Sequence, residues 1–465
     1  MPVPASAAWA TIRELAAHLR AGDFMAVELA QFFLDRVERQ AKPLNAVVTV
    51  TEKTALEQAR QADADLRAGR DRGLLHGIPY GAKDLLATRG VPTSWGAAPL
   101  KEQVIDDDAS VVRRLREAGA VLVAKLAMVE IAGGLGYDQA NASFTGPGLN
   151  PWNREAWSGG SSSGPGSAVG AGAVPFAIGS ETWGSIMTPA GYCGIAGLRP
   201  TYGRVSRHGA MALSWTMDKL GPMARTADDC GLVLAAIAGA DPLDPSASSR
   251  EYSYPPADPP QPPFRLAVVR GATDRVQPEV KANYEQALEV LRPLATFTEI
   301  ELADLPYGTV SGTIISCEMA AAFEGMVTSG DIWEMTAPED RWGAHAALFI
   351  PAKDYINAQR IRRKIQQSID SQLAPYDALL APTLATVAGP IDKPFSEFHR
   401  RWGSIELGGA ENAAGIPAVT VPNGFGERGL PTGLKFVGRA FEENRLLTIA
   451  RMYQERTDWH RQPPI

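Results

Sequence analysis

The chain has 465 residues, 45% of them hydrophobic and 21% charged, with a formal net charge of −7 and a pI near 5.6. That is enough apolar material for a substantial core, in one large domain or in two to three small ones. The acidic balance, without any basic run, excludes an extended phosphate-binding surface, so no nucleic-acid partner is expected.

In chain order, Met1-Pro2-Val3-Pro4 reaches Arg13 and Glu14 before any apolar run of signal-peptide length, which predicts a cytoplasmic protein. Helical spacing over residues 15–19 and 27–37, with Gly22 between them as a stop, and an Ala-rich run over 54–68 predict packing helices across about 8–70. The central segment, about 71–240, opens with Gly77-Ile78-Pro79-Tyr80-Gly81-Ala82-Lys83-Asp84-Leu85. A lone lysine is usually solvated, but Lys83 stands among Ile78, Tyr80, Ala82 and Leu85 beside glycines that permit close backbone approach, and this predicts its burial. Residues 110–118 read as a helix and Ala120-Val121-Leu122-Val123-Ala124 as a buried strand, the alternation of a layered α/β architecture with a mostly parallel sheet. Gly133-Gly134-Leu135-Gly136-Tyr137 follows as a flexible turn, with Tyr137 either a pocket wall or a surface-loop residue.

Residues 157–201 differ from everything around them. The run 156–180 carries no charge and is long enough to span a bilayer. Seven Gly, six Ser and two Pro fill 15 of its 25 places, which is incompatible with a lipid-facing helix, and no membrane partner is expected. A flexible linker is disfavoured by Val174-Pro175-Phe176-Ala177-Ile178, an apolar segment of buried-strand length. Gly160-Ser161-Ser162-Ser163-Gly164 fits G-x-S-x-G, yet residues 150–158 do not read as the strand that must precede a nucleophile elbow, and the six His show no supporting pattern. Cys193, Cys230 and Cys317 lack C-x-x-C spacing, so neither a metal site nor a disulfide framework is indicated, and Cys193 reads as a small buried hydrophobe.

Eight prolines between 241 and 264 mark the clearest composition shift, read here as an external crossing within one domain spanning 1–465 rather than a boundary. In the remainder, 265–465, residues 266–269 and 378–382 are strand-like, while 279–291, 361–373 and 437–456 are helical. The aromatics Trp333, Trp342, Phe349 and Tyr355 are expected to cover the core rather than line an entrance.

The combination GGSSSG, then GSETWGS with its last Ser185 placed 24 positions after Ser161, then CGIAGLRPT, resembles the amidase signature family of hydrolases. Lys83, 78 positions before Ser161, stands where the family carries a lysine, and the match runs on through Tyr202-Gly203-Arg204-Val205-Ser206, Asp218-Lys219-Leu220-Gly221-Pro222 and Gly415-Ile416-Pro417-Ala418. The resemblance implies a single α/β/α domain with a mixed central sheet and a cofactor-independent reaction without metal. It implies Ser185 as nucleophile, Ser161 as proton bridge and Lys83 as general base, with Gly160-Ser161 a cis peptide and Gly160 and Ser162 in support. It places an oxyanion hole at the backbone of Thr182, Trp183 and Gly184. Trp183 departs from the family, which commonly has glycine there, and an indole at that position is expected to limit φ and to line the acyl pocket. With Ser206-Arg207-His208-Gly209-Ala210-Met211 and the pocket candidate Trp215, it looks like a subgroup that includes aryl-acylamidases and urethanases. The expected partner is therefore a small amide or carbamate, met by a monomer or homodimer. The alternatives are the glutaminase subunit of a tRNA-dependent amidotransferase, working among partner chains, or a non-catalytic ligand-binding relative.

Overall fold

A computed structural model describes residues 2–134, 136–403 and 407–464. Its strands are β1 (Val47–Val50), β2 (Pro79–Lys83), β3 (Val121–Leu126), β4 (Phe176–Glu181), β5 (Ala196–Arg199), β6 (Lys219–Ala224), β7 (Phe264–Val269), β8 (Ala295–Ile300), β9 (Ala378–Pro382), β10 (Ala418–Phe425) and β11 (Pro431–Val437). They form one 11-stranded sheet in the order β1-β3-β2-β4-β6-β5-β10-β11-β9-β7-β8. Strands from before and after the proline-rich crossing thus share a single sheet. Every residue of β2, β3, β4, β5, β6, β9 and β11 is buried, so both faces of the central sheet are covered, which gives the α/β layers the sequence predicts.

The expectation of a mostly parallel sheet needs correction. β2 pairs in parallel with β3 and β4, and β7 with β8 and β9, but the β4–β6, β5–β6, β5–β10, β10–β11, β9–β11 and β1–β3 pairs are antiparallel. Periodicity reports whether a strand is buried on both faces, not which way its neighbour runs.

The first two helices follow their local signals. Thr11 and Glu14 form a capping box at the start of Ile12–Ala21, which buries Ile12, Leu15, Ala16 and Leu19, and Gly22 ends it at φ 74°. The closing helix is shorter than expected, Glu443–Gln454, because Val437 completes β11. Most of the aromatic-rich segment does not cover the core: Trp342 and Phe349 are 68% and 84% exposed, and Trp333 is exposed beside Trp342, whereas Tyr355 is partly buried with its hydroxyl on Glu318. A single-residue pattern cannot distinguish an aromatic at a surface from one in a core. Of the turn at 133–137, Leu135 lies outside the described residues.

β2 and β4 lie side by side and parallel within the sheet, so their C-terminal ends, Lys83 and Ser180-Glu181, meet at one end of these central strands. In α/β sheets the crevice outside the carboxyl ends of parallel strands is where sites form.

Candidate active site

Lys83 ends β2 completely buried, and its Nζ reaches three hydroxyls: Ser161 Oγ at 2.7 Å, Ser162 Oγ at 3.0 Å and Ser180 Oγ at 2.9 Å. Ser162 donates its own proton to the Ser180 carbonyl at 3.1 Å, so toward Lys83 it is an acceptor. Burial pushes the Lys83 ammonium down to about 7, against the upward pull of Asp218 and Glu181. Asp84, next in sequence, turns to the other side. It stands 3.2 Å from Lys125 Nζ and accepts the Ser94 N–H at 2.8 Å and the Ser94 hydroxyl.

Ser161 follows a cis Gly160–Ser161 peptide, and the helix Ser163–Gly170 begins two residues later. That helix packs tightly enough against the chain leaving β3 to demand glycine at 164, where a Cβ would stand 2.5 Å from the Ala127 nitrogen. Tyr137 leans over the cis peptide, since a Cβ on Gly160 would be 3.0 Å from its hydroxyl, and its ring meets Trp157 and Phe395 edge-on.

After β4 the chain turns through Thr182, Trp183, Gly184 and Ser185 into the helix Met187–Cys193. Gly184 takes φ 85°, so the left-handed residue of the turn is the glycine, and Trp183 is not among the residues of positive φ. The expected backbone constraint of an indole at 183 therefore does not arise. Its side chain is 42% exposed and abuts Gly408, where a Cβ would be 3.0 Å from Nε1. A cavity of about 200 Å³ opens there, lined by Trp183, Gly184, Thr188, Leu407 and Gly408. A second, about 180 Å³, lies on the Thr182 side, with Trp215 and Leu213 in its wall. The Ser162 N–H donates to the Ser185 carbonyl at 3.3 Å, which joins the two serine segments. Among the described residues, the Trp183, Gly184 and Ser185 N–H groups and the Ser185 hydroxyl have no protein hydrogen-bond partner, and no histidine ring bonds to Ser161 or Ser185.

Sequence reasoning missed the support behind this turn. Glu181 is fully buried, binds Arg199 at 2.8 Å and accepts the N–H groups of Ile186 and Met187 at 2.9 and 3.0 Å. Burial pushes its pKa up, but Arg199 and Lys219 outweigh this and hold it down to about 2. Thr182 Oγ1 donates to Asp218 at 2.6 Å, and Asp218 also accepts the Leu213 and Ser214 N–H groups. Glu181 and Asp218 both stood in recognisable motifs. What sequence lacked was the antiparallel register that sets Glu181 opposite Lys219.

The buried lysine and the serine-bearing turn at the carboxyl ends of β2 and β4 fit a serine hydrolase, and the comparisons make it one that acts on C–N bonds. The chain belongs to the amidase signature family: the family described as Amidase matches residues 28–447. A glutamyl-tRNA(Gln) amidotransferase subunit of Methylococcus capsulatus is 36% identical over 98% of both chains. The solved peptide amidase of Stenotrophomonas maltophilia is 32% identical, with a TM-score of 0.84 over 98% of both chains. The corresponding amidotransferase subunit from Thermotoga maritima superposes with a TM-score of 0.79 at 27% identity, over 98% of this chain and 96% of that one. No helix among the described residues is long and apolar enough to cross a membrane.

Proposed function

We propose that the chain hydrolyses carboxylic amides through an acyl-enzyme on Ser185. Ser185 attacks the carbonyl carbon while its proton passes through Ser161 to the neutral Lys83 amine. Lys83 returns that proton through Ser161 to the leaving nitrogen as the C–N bond breaks. Water then repeats the sequence on the acyl-enzyme and frees the acid. The unpaired N–H groups of Trp183 and Gly184, with Thr182, receive the oxyanion, where preorganised donors outweigh any donor that must first be desolvated. The observation that carries this reading is Lys83: completely buried, bonded to hydroxyls alone, and with a pKa down to about 7.

The amide itself divides into two readings with different support. Sequence similarity favours the amidotransferase role, in which the chain releases ammonia from glutamine beside partner chains, because the 36% identity extends over 98% of both sequences. The site's own residues favour small amides with aromatic groups, including carbamates, and with that reading goes a free-standing monomer or homodimer acting in the cytoplasm. Trp183 and Trp215 are 42% and 47% exposed at the two cavities flanking the turn, and aromatic walls suit flat apolar groups. The purified chain alone, assayed on glutamine, an anilide and an aryl carbamate, separates them. Turnover of the anilide or carbamate with none of glutamine supports the second reading, and glutamine turnover only on adding the partner chains supports the first.

A further inference from the structure

We propose that Lys219 is a positioning residue of the oxyanion turn: donating to the Thr182 carbonyl oxygen, it orients and polarises the Thr182–Trp183 peptide, so that the Trp183 N–H binds the developing oxyanion more strongly. This rests on the role given above to that turn.

Lys219 opens β6 directly opposite Glu181 and is 2% exposed. Its Nζ lies 3.2 Å from the Thr182 oxygen and 2.8 Å from Asn412 Oδ1. The Thr182–Trp183 peptide is not among the cis bonds, so its C=O and N–H point in opposite directions. A donor on the oxygen therefore leaves the N–H aimed away from Lys219 and fixes the plane in which it points. Bonds from charged donors are the strong ones, and in a low-dielectric interior one hydrogen bond polarises the next across the amide. The turn's other polar groups are held separately, Thr182 Oγ1 by Asp218 and the Ile186 and Met187 N–H groups by Glu181. Asn412 in turn donates to the Gly408 carbonyl at 2.9 Å, so the same lysine ties the turn to the helix Leu407–Ala414, whose Gly408 borders Trp183.

The charged groups around Lys219 are Glu181 and Asp218, which favour its ammonium, and Arg199 and Arg362, which oppose it; Glu411 and Lys435 lie beyond, the former 3.2 Å from Arg199. Burial adds to the arginines and pushes the ammonium down to about 7. Lys83, set among hydroxyls that can donate to a free amine, works neutral, whereas Lys219, whose partners are two oxygens that only accept, works charged. Turnover should therefore rise with pH as Lys83 loses its proton and fall again as Lys219 loses its own.

The test is the pH profile of kcat on an anilide or glutamine, whichever the enzyme turns over. Lys219→Met should lower kcat about tenfold, less than the loss of a whole oxyanion donor, change KM by less than about twofold, and remove the falling limb while keeping the rising one. Wild-type kcat with both limbs intact in Lys219→Met overturns the proposal. Because that variant disturbs a buried charge network, Asn412→Asp provides the independent measurement: a carboxylate beside Nζ should carry the falling limb to higher pH and leave the rising limb in place. A falling limb that is absent or unmoved overturns the proposal. Fluorophosphonate labelling of the wild-type protein separates the two levels. If Ser185 is not the labelled residue, the role of the turn itself fails, whatever the Lys219 variants do.

Discussion

Two lysines lie on neighbouring parallel strands, and both have completely buried side chains: Lys83 at the end of β2 and Lys125 in β3, where Lys125 pairs in register with Ala82. Lys125 has a carboxylate, Asp84 at 3.2 Å, and the Thr93 hydroxyl at 2.7 Å. Lys83 has three hydroxyls and, among the described residues, no ion pair. Burial pushes both ammonium groups down, but Asp84 pulls Lys125 back, and burial pushes Asp84 itself up. Burial alone therefore does not make a base. The base proposed above, Lys83, stands where burial comes without a counter-ion and beside hydroxyls able to pass on a proton.

The largest effect should come from removing the unpaired lysine. Lys83→Ala should lower kcat/KM by at least about 10³, the upper range for a general base, and Lys83→Arg should not restore it, since a guanidinium stays protonated at every working pH. Near wild-type turnover in a folded Lys83→Arg, with folding checked by circular dichroism, would mean that the lysine supplies only charge. Ser185→Ala should act as severely and abolish fluorophosphonate labelling; labelling that persists there but disappears in Ser161→Ala would reverse the two serine roles.

Breaking the paired lysine should cost stability instead. Lys125→Met leaves Asp84 buried without its partner, and denaturant unfolding should show a loss of about 3–5 kcal/mol. Adding Asp84→Asn should recover part of that loss, because no charge is then stranded. If the single variant unfolds like wild type, the ion pair is not holding the loop after β2.

The pH dependence of stability gives a third contrast. The folded pKa of Lys83, about 7, lies below its ordinary value of 10.5, so between those values the unfolded chain binds the extra proton and folding stability must rise with pH. Lys83→Met should flatten that rise by on the order of 4 kcal/mol over the window. Equal slopes for wild type and variant, measured by urea unfolding near neutral pH and again close to the ordinary lysine pKa, would place that ordinary pKa in the folded state.

The smallest change should come from giving Lys83 the partner that Lys125 already has. Ser180→Asp puts a carboxylate where the hydroxyl stands 2.9 Å from Nζ. The rising limb of kcat should move up by at least about one pH unit, with activity near neutral pH falling roughly tenfold. An unmoved limb would detach the observed titration from Lys83.

Much of this site was legible in the amino-acid order. The hydroxyl-rich, uncharged stretch, the distance from Ser161 to Ser185, and a lysine set among Ile78, Tyr80, Ala82 and Leu85 are local facts, and burial of a short apolar strand follows from them. So do the first helix with its Gly22 stop and the strand read at 120–124, because stop signals and apolar runs act over a few residues. Strand direction, the destination of Asp84 and the exposure of Trp342 and Phe349 were not legible, since each depends on a neighbour distant in sequence. The same holds for the chemistry. Sequence alone, through its family resemblance, singled out the residues proposed to carry the reaction: a lysine, two serines and a glycine-bearing turn. Only the tertiary structure decided that Asp84 faces Lys125 and not Lys83, that Ser180 completes the hydroxyl cluster, and that Glu181, Asp218 and Lys219 brace the turn from behind, because a proton's affinity for an amine is set by the charges and water around it in space.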